Sequence, residues 1–222
     1  MTEETIYASY PVFRAVPELS QTLDRETATK EAQALLDDYA GRVETRGAYS
    51  TVGFSPTADM MFFWVARNAE VLQDLLVDFR HTQLGRVLRQ REMFLGLVRP
   101  AEFSPDHLPA FVLRKEPKRY LNVYPFVRTP DWYLLDSAER GKLLSEHGKG
   151  GREFPDVWAN TTSAFGLGDY EWILCFEADS PDRIVELLRR LRATEARRYT
   201  KLETPFFTGI RKDLAGVVND LP

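Results

Sequence analysis

One βαββαβ pattern is written twice along these 222 residues. In the first copy, 6–15 reads as a strand, 25–39 as a helix with Leu35 and Leu36 inward, and 47–54 as a second strand. A third strand over 60–65 is too apolar to have a wet face. A helix follows over 69–79 with Val71, Leu72, Leu75 and Leu76 at helical spacing, and a strand over 93–98 closes the copy. The second copy runs strand 120–127, helix 137–147, strand 157–165, strand 170–177, helix 181–198, strand 204–209. The letters repeat too. DMMFFWVARNAEVLQDLL from Asp59 lies over DYEWILCFEADSPDRIVELL from Asp169 with a two-residue slip, and Phe94-Leu95-Gly96 answers Phe207-Thr208-Gly209. The expected fold is α+β: two tandem ferredoxin-like halves forming an antiparallel α+β barrel of the dimeric α/β-barrel type. The expected divisions are a scaffold half over 1–99, a linker over 100–118 marked by Pro100, Pro105, Pro109 and Pro117, and a second half over 119–222.

At 44% hydrophobic content the chain can bury real cores in both halves. A net charge of −4 gives no global basic field, which argues against nucleic acid as a partner. The single cysteine, Cys175, excludes an intrachain disulfide and any CxxC motif, as suits a reducing compartment. The opening MTEETIYASY lacks a basic segment followed by an apolar one, and no run approaches the ~18 apolar residues of a membrane span. A cytoplasmic protein without membrane contact is expected.

Function should reside where the copies differ, and the second copy alone carries the stretch from Tyr120 to Arg152. Asp136 with Glu139 three residues on forms a capping box that opens a helix. Gly148, Gly150 and Gly151 supply left-handed caps that end it and let something approach the backbone, leaving His147 in its last turn. At roughly 100° per residue, His147 falls between Leu143 and Leu144 on the apolar face. Such a histidine is either a core residue hydrogen-bonded to a neighbour or an axial ligand to a haem-type iron. No second His or Cys stands within four residues, so a zinc or non-haem iron cluster is poorly supported. Arg192 falls inside the apolar arc of its helix and needs a partner there, a protein carboxylate or a ligand's. Tyr124 stands before Pro125, with Arg128 four residues on and Trp132 after the turn. Packing accounts for a Tyr and a Trp in most strands, although a tyrosine beside haem can also lose one electron. His107 is either a solvated loop residue or a proton acceptor for a peroxide. His81 and Cys175 carry no role beyond structure.

The runs NVYPFVRTPDWYLL, EHGKGGR, ANTTSAFGLGDYEW, LRATEARRY…PFFTG and, in the first half, RGAYSTVGF resemble the chlorite dismutase-like haem proteins. More narrowly they resemble coproheme decarboxylases of the actinobacterial type. The resemblance implies that His147 is the proximal iron ligand, Tyr124 the residue that becomes a radical, and His107 the distal histidine that helps deprotonate hydrogen peroxide. It implies that Arg128, Trp132, Arg152 and Arg192 surround the porphyrin propionates, and that Asn160 touches either a propionate or only the backbone. The implied reaction is peroxide-dependent oxidative decarboxylation of two propionates of iron-coproporphyrin III (coproheme), through a three-propionate intermediate, to the vinyls of haem b. Coproheme would serve as its own redox cofactor in a cytoplasmic homopentamer, with a ferrochelatase as a transient partner that delivers it.

Two other functions compete. A non-catalytic haem-binding or haem-transfer protein could use the same fold. Chlorite dismutation is disfavoured, because family members that split chlorite keep an arginine above the iron and the corresponding segment here is WANTTSA, Trp158 to Ala164.

Overall fold

The computed structural model describes residues 5–100, 102 and 108–222. In chain order its first part runs β1 (Tyr7–Ala15), α1 (Pro17–Ser20), α2 (Arg25–Tyr39), β2 (Val43–Ser50), β3 (Met60–Ala66), α3 (Ala69–His81), α4 (Gln83–Arg86) and β4 (Leu88–Leu97). There follow β5 (Tyr120–Arg128), α5 (Pro130–Leu134), α6 (Ser137–Arg152), β6 (Trp158–Ala159), β7 (Thr162–Ser163), β8 (Trp172–Ala178) and α7 (Pro181–Arg192). A 3₁₀ turn (Glu195–Tyr199), β9 (Thr200–Leu202), β10 (Phe207–Lys212) and α8 (Leu214–Asn219) complete it. The α+β class and the doubled βαββαβ order are both present.

The chain divides into two compact units. One comprises Met1–Val98 with Phe207–Pro222, the other Arg99–Phe206. In the first, the antiparallel strands run in the order β4-β1-β3-β2-β10. Every residue of β3 is buried, as its unbroken apolar run requires. Side chains Asp24 and Asn68 cap α2 and α3 by accepting from the Thr27 and Glu70 amides. These helices bury Ala28, Ala32, Leu36, Leu72, Leu75 and Phe79 against Phe13, Phe62 and Trp64. The Phe62 and Trp64 rings stack at 5.0 Å, and Phe79 meets Phe62 edge-on at 5.2 Å.

Where the sequence put the second strand over 47–54, β2 starts and ends earlier. It stops at a turn in which the Phe54 amide donates to the Thr51 carbonyl and Gly53 adopts a φ of 85°. The segment 207–222, assigned by sequence to the second half, is built into the first unit instead. Ile210 pairs with Ser50 on β2, α8 buries Leu214, Val217 and Val218 in the core, and Arg25 donates to the carbonyls of Val218 at 2.7 Å and Leu221 at 2.9 Å.

In the second unit β5 lies between β8 and β9, and β8 pairs on its other side with β6 and β7. The sequence reads 157–165 as one strand; it is two short ones against β8 in one common register, and the Asn160 amide between them still donates to the Cys175 carbonyl at 2.8 Å. The Asp136 cap of α6 is as expected, its side chain accepting from the Ala138 amide. The expected stop at His147 is wrong: α6 continues through all three glycines to Arg152, and none of them has a positive φ. Their use is proximity. A Cβ on Gly150 would sit 3.5 Å from Arg190 and one on Gly151 4.0 Å from Leu191, so small residues let α7 approach. In turn α7 ends at Arg192, short of the expected 198, where Thr194 adopts an extended conformation and its hydroxyl donates to the Leu191 carbonyl at 2.8 Å.

Gly209 on β10 is held by close approach. A Cβ there would lie 2.9 Å from Tyr49 Cβ and 3.0 Å from the Ser50 carbonyl oxygen, both on the neighbouring strand. Gly209→Ala is expected to lower unfolding stability by about 1–3 kcal/mol, read by urea denaturation; an unchanged midpoint would show that this strand pair has slack.

Candidate functional site

Side chains two apart along a strand share a face, so β5 directs Tyr124, Phe126 and Arg128 to one side of the second unit's sheet. Tyr124 is 2% exposed and packs with Val157, Phe176, Ile184 and Leu187. Its ring lies 4.3 Å from that of Phe206 and 6.2 Å from that of Phe176. Burial pushes its phenol pKa up, the Glu203 carboxylate adds to the push, and Arg192 and Arg197 oppose it. The hydroxyl therefore keeps its proton at neutral pH.

Arg128, 9% exposed, closes β5. Its Nη1 donates to the Ala196 carbonyl at 2.9 Å, and the guanidinium lies 4.1 Å over the Trp132 ring and 4.7 Å from that of Phe126. Burial lowers its pKa to about 10, so it remains charged. Trp132 is itself buried, 5.6 Å from the Tyr199 ring. A guanidinium has five N–H donors in a planar fork, and one committed donor leaves capacity to grip a carboxylate.

His147 sits half-buried on α6. Burial pushes its imidazole down to about 4, the Arg128 charge adds to this, and Glu203 pulls the other way. The ring is neutral at pH 7 and keeps a nitrogen lone pair for a metal. Among the described residues no group of three or more His, Cys, Asp or Glu is arranged to hold a metal ion. His147 is thus suited to a metal that arrives with its other donors, as porphyrin iron does.

Glu203 carries no motif, and sequence reasoning missed it. Its side chain, 12% exposed, accepts from Arg192 Nη2 at 2.9 Å and Arg197 Nη1 at 2.6 Å. The same carboxylate acts on the ionisation of Tyr124, Arg128 and His147. The expectation that Arg192 lies within an apolar arc needs correction. The residue is exposed at the very end of α7, with its guanidinium 5.8 Å from the Phe206 ring, and Glu203 is its partner.

A neutral imidazole, a buried cation with spare donors, two further arginines on one carboxylate and the packed rings of Tyr124 and Phe206 form a chemistry suited to a multiply carboxylated metal complex. The family described as chlorite dismutase matches residues 25–212. A coproheme decarboxylase from Mycolicibacterium smegmatis is 47% identical over 219 residues, 97% of this chain and 94% of the relative. The chain belongs to the chlorite dismutase family. A coproheme decarboxylase from Oceanobacillus iheyensis is 27% identical, covering 78% of this chain and 76% of its own. A mutant chlorite dismutase from Candidatus Nitrospira defluvii shares the fold with a TM-score of 0.88 at 22% identity, over 98% of this chain and 95% of that one. The family expected from the motifs is borne out, and these curated relatives are enzymes.

Other residues singled out by the family resemblance are differently disposed. Asn160 is fully buried; its Oδ1 accepts from the Phe111 amide at 3.0 Å and its Nδ2 donates to Glu177 Oε1 at 2.8 Å, so its side chain serves the protein. Arg152 is exposed on the last turn of α6, with Nη1 folded back over Gly148. His107 lies outside the described residues. No helix among the described residues is long and apolar enough to cross a membrane.

The depressed His147 pKa has a defined consequence for stability. Unfolded, the imidazole takes a proton as pH falls through 6.5; folded, it resists until about 4. Protonation therefore favours the unfolded chain across that window, and stability falls as the pH drops. His147→Gln in porphyrin-free protein is expected to lose less stability than wild type between pH 7 and 4.5, measured by urea melts at both; equal losses would refute the desolvated imidazole.

Proposed function

We propose that this protein is a coproheme decarboxylase of haem biosynthesis, converting two propionates of coproheme to the vinyls of haem b. The observation that supports this reading is that Tyr124, Arg128 and His147 all feel the Glu203 carboxylate, joined to 47% identity with a protein named for that activity. The substrate's own iron, with hydrogen peroxide as oxidant, supplies the oxidising power.

His147, neutral and half-buried, would ligate the iron from one side. Arg128, stiffened between Trp132 and Phe126, would hold one propionate through its free N–H edge. Arg192 and Arg197 are already drawn to one point by Glu203 and are available to further carboxylates at their exposed edges. Tyr124 would give up its hydroxyl proton and one electron; the resulting radical would take a hydrogen atom from a propionate β-carbon. Loss of CO₂ and a second electron from that carbon skeleton then leaves a vinyl group. The burial that keeps Tyr124 protonated also keeps its ring fixed against Phe206, so a single substrate carbon can be addressed. His107 is assigned peroxide deprotonation on its motif. The homopentamer, a cytoplasmic location and receipt of coproheme from a ferrochelatase rest likewise on the family resemblance. Chlorite dismutation is a poorer reading, since the segment Trp158 to Ala164 has no arginine and Asn160 is bonded within the protein.

Mass spectrometry of a coproheme–peroxide titration tests the reading. Wild type should give two successive losses of about 46 Da, each CO₂ plus two hydrogens. Tyr124→Phe should bind coproheme and give neither loss; vinyl products from that variant would remove the radical role, and no product from wild type would remove the activity.

A further inference from the structure

The site's best-placed cation depends on an element that is weak on its own. Trp132 lies in α5, five residues long, with no side-chain cap at Thr129 and a proline at its start. A helix that short is not stable by itself. Its leading end is tied by the Thr129 amide, which donates to the Tyr199 carbonyl at 2.9 Å. Beyond Trp132, the tie is the Tyr133 hydroxyl, which donates to Glu171 Oε2 at 2.6 Å.

The same oxygen of Glu171 accepts from the Arg128 backbone amide at 2.7 Å. One carboxylate oxygen thus takes two short, charge-assisted bonds from donors that bracket Thr129 to Trp132. Glu171 is itself fixed through its backbone, its amide donating to the Phe126 carbonyl at 3.3 Å and its carbonyl accepting from the Ala164 amide at 2.8 Å. The Tyr133 ring is held as well, parallel to Trp172 at 6.4 Å and edge-on to Phe165 at 6.2 Å.

We propose that Glu171 is a positioning residue for substrate binding: its Oε2 sets α5 against the end of β5, and so sets the Arg128–Trp132 stack that grips a porphyrin carboxylate. The proposal rests on the coproheme-binding reading. A helix this short takes its stability from such ties, and Glu171 is the group that links it to the strand end. A glutamine oxygen at the same place could still accept both bonds, whereas leucine could accept none.

The test is a Soret titration of coproheme into porphyrin-free protein, with a thermal melt of each variant. Glu171→Leu is expected to bind about tenfold more weakly and Glu171→Gln to stay within about threefold of wild type. Because Glu171 acts through Arg128, the double variant Glu171→Leu with Arg128→Met should bind no more weakly than Arg128→Met alone. Tyr133→Phe removes one of the two bonds and serves if Glu171→Leu melts below the assay temperature; about threefold weakening is then expected. Additive losses in the double variant, or wild-type affinity in Glu171→Leu or its stand-in, would overturn the positioning role. Wild type that binds no coproheme at all would instead remove the reading on which it rests.

Discussion

The pairing of β5 with β8 is the constraint from which the site follows. Its register runs from Tyr120 opposite Ala178 to Phe126 opposite Trp172. A slip of one residue would turn Tyr124 and Arg128 to the opposite face together. In register, the Tyr124 face is the one on which Ile184 and Leu187 of α7 pack, and the one whose charge reaches His147 on α6. Gly150 and Gly151 matter for the same reason, since they let α7 approach α6 closely.

On that face the charges are mutually dependent. A buried arginine without a carboxylate nearby would be costly; Glu171 and Glu203 both supply one, and Glu203 also holds two exposed arginines. Burial holds the His147 imidazole neutral and the Arg128 charge reinforces it; burial likewise raises the Tyr124 phenol, and the Glu203 carboxylate reinforces that. The resting cluster is therefore a neutral imidazole, an intact phenol and charged guanidinium groups. Glu171 stands at its edge, where it fixes backbone and also favours the charge of Arg128.

Much of this was legible from the sequence, because strand period and helix period are local. The doubled βαββαβ order and the Asp136 cap both follow from neighbouring residues. What escaped depends on contacts distant in the chain. Glycines after His147 signal both a helix stop and a close approach, and only the approach, by Arg190, is present. Arg192 looks buried while its helix is drawn to 198, and it is exposed once Thr194 ends that helix. Glu203 and Glu171 are unremarkable letters whose roles come from partners up to 43 residues away along the chain. The placement of 207–222 in the first unit is a matter of strand pairing, which the repeat in the letters does not reveal.

The two copies fill the same arrangement with different side chains. Both copies supply a sheet with two helices, but the first fills that arrangement with Phe62, Trp64 and Phe79, whereas the second sets Tyr124, Arg128 and His147 there. The central claim is that Tyr124 carries the oxidising equivalent. Freeze-quench electron paramagnetic resonance of the coproheme complex after mixing with peroxide tests it most directly, using protein made with ring-deuterated tyrosine. A tyrosyl signal that narrows on deuteration and vanishes in Tyr124→Phe is predicted; a signal that survives that substitution at full intensity would contradict the account.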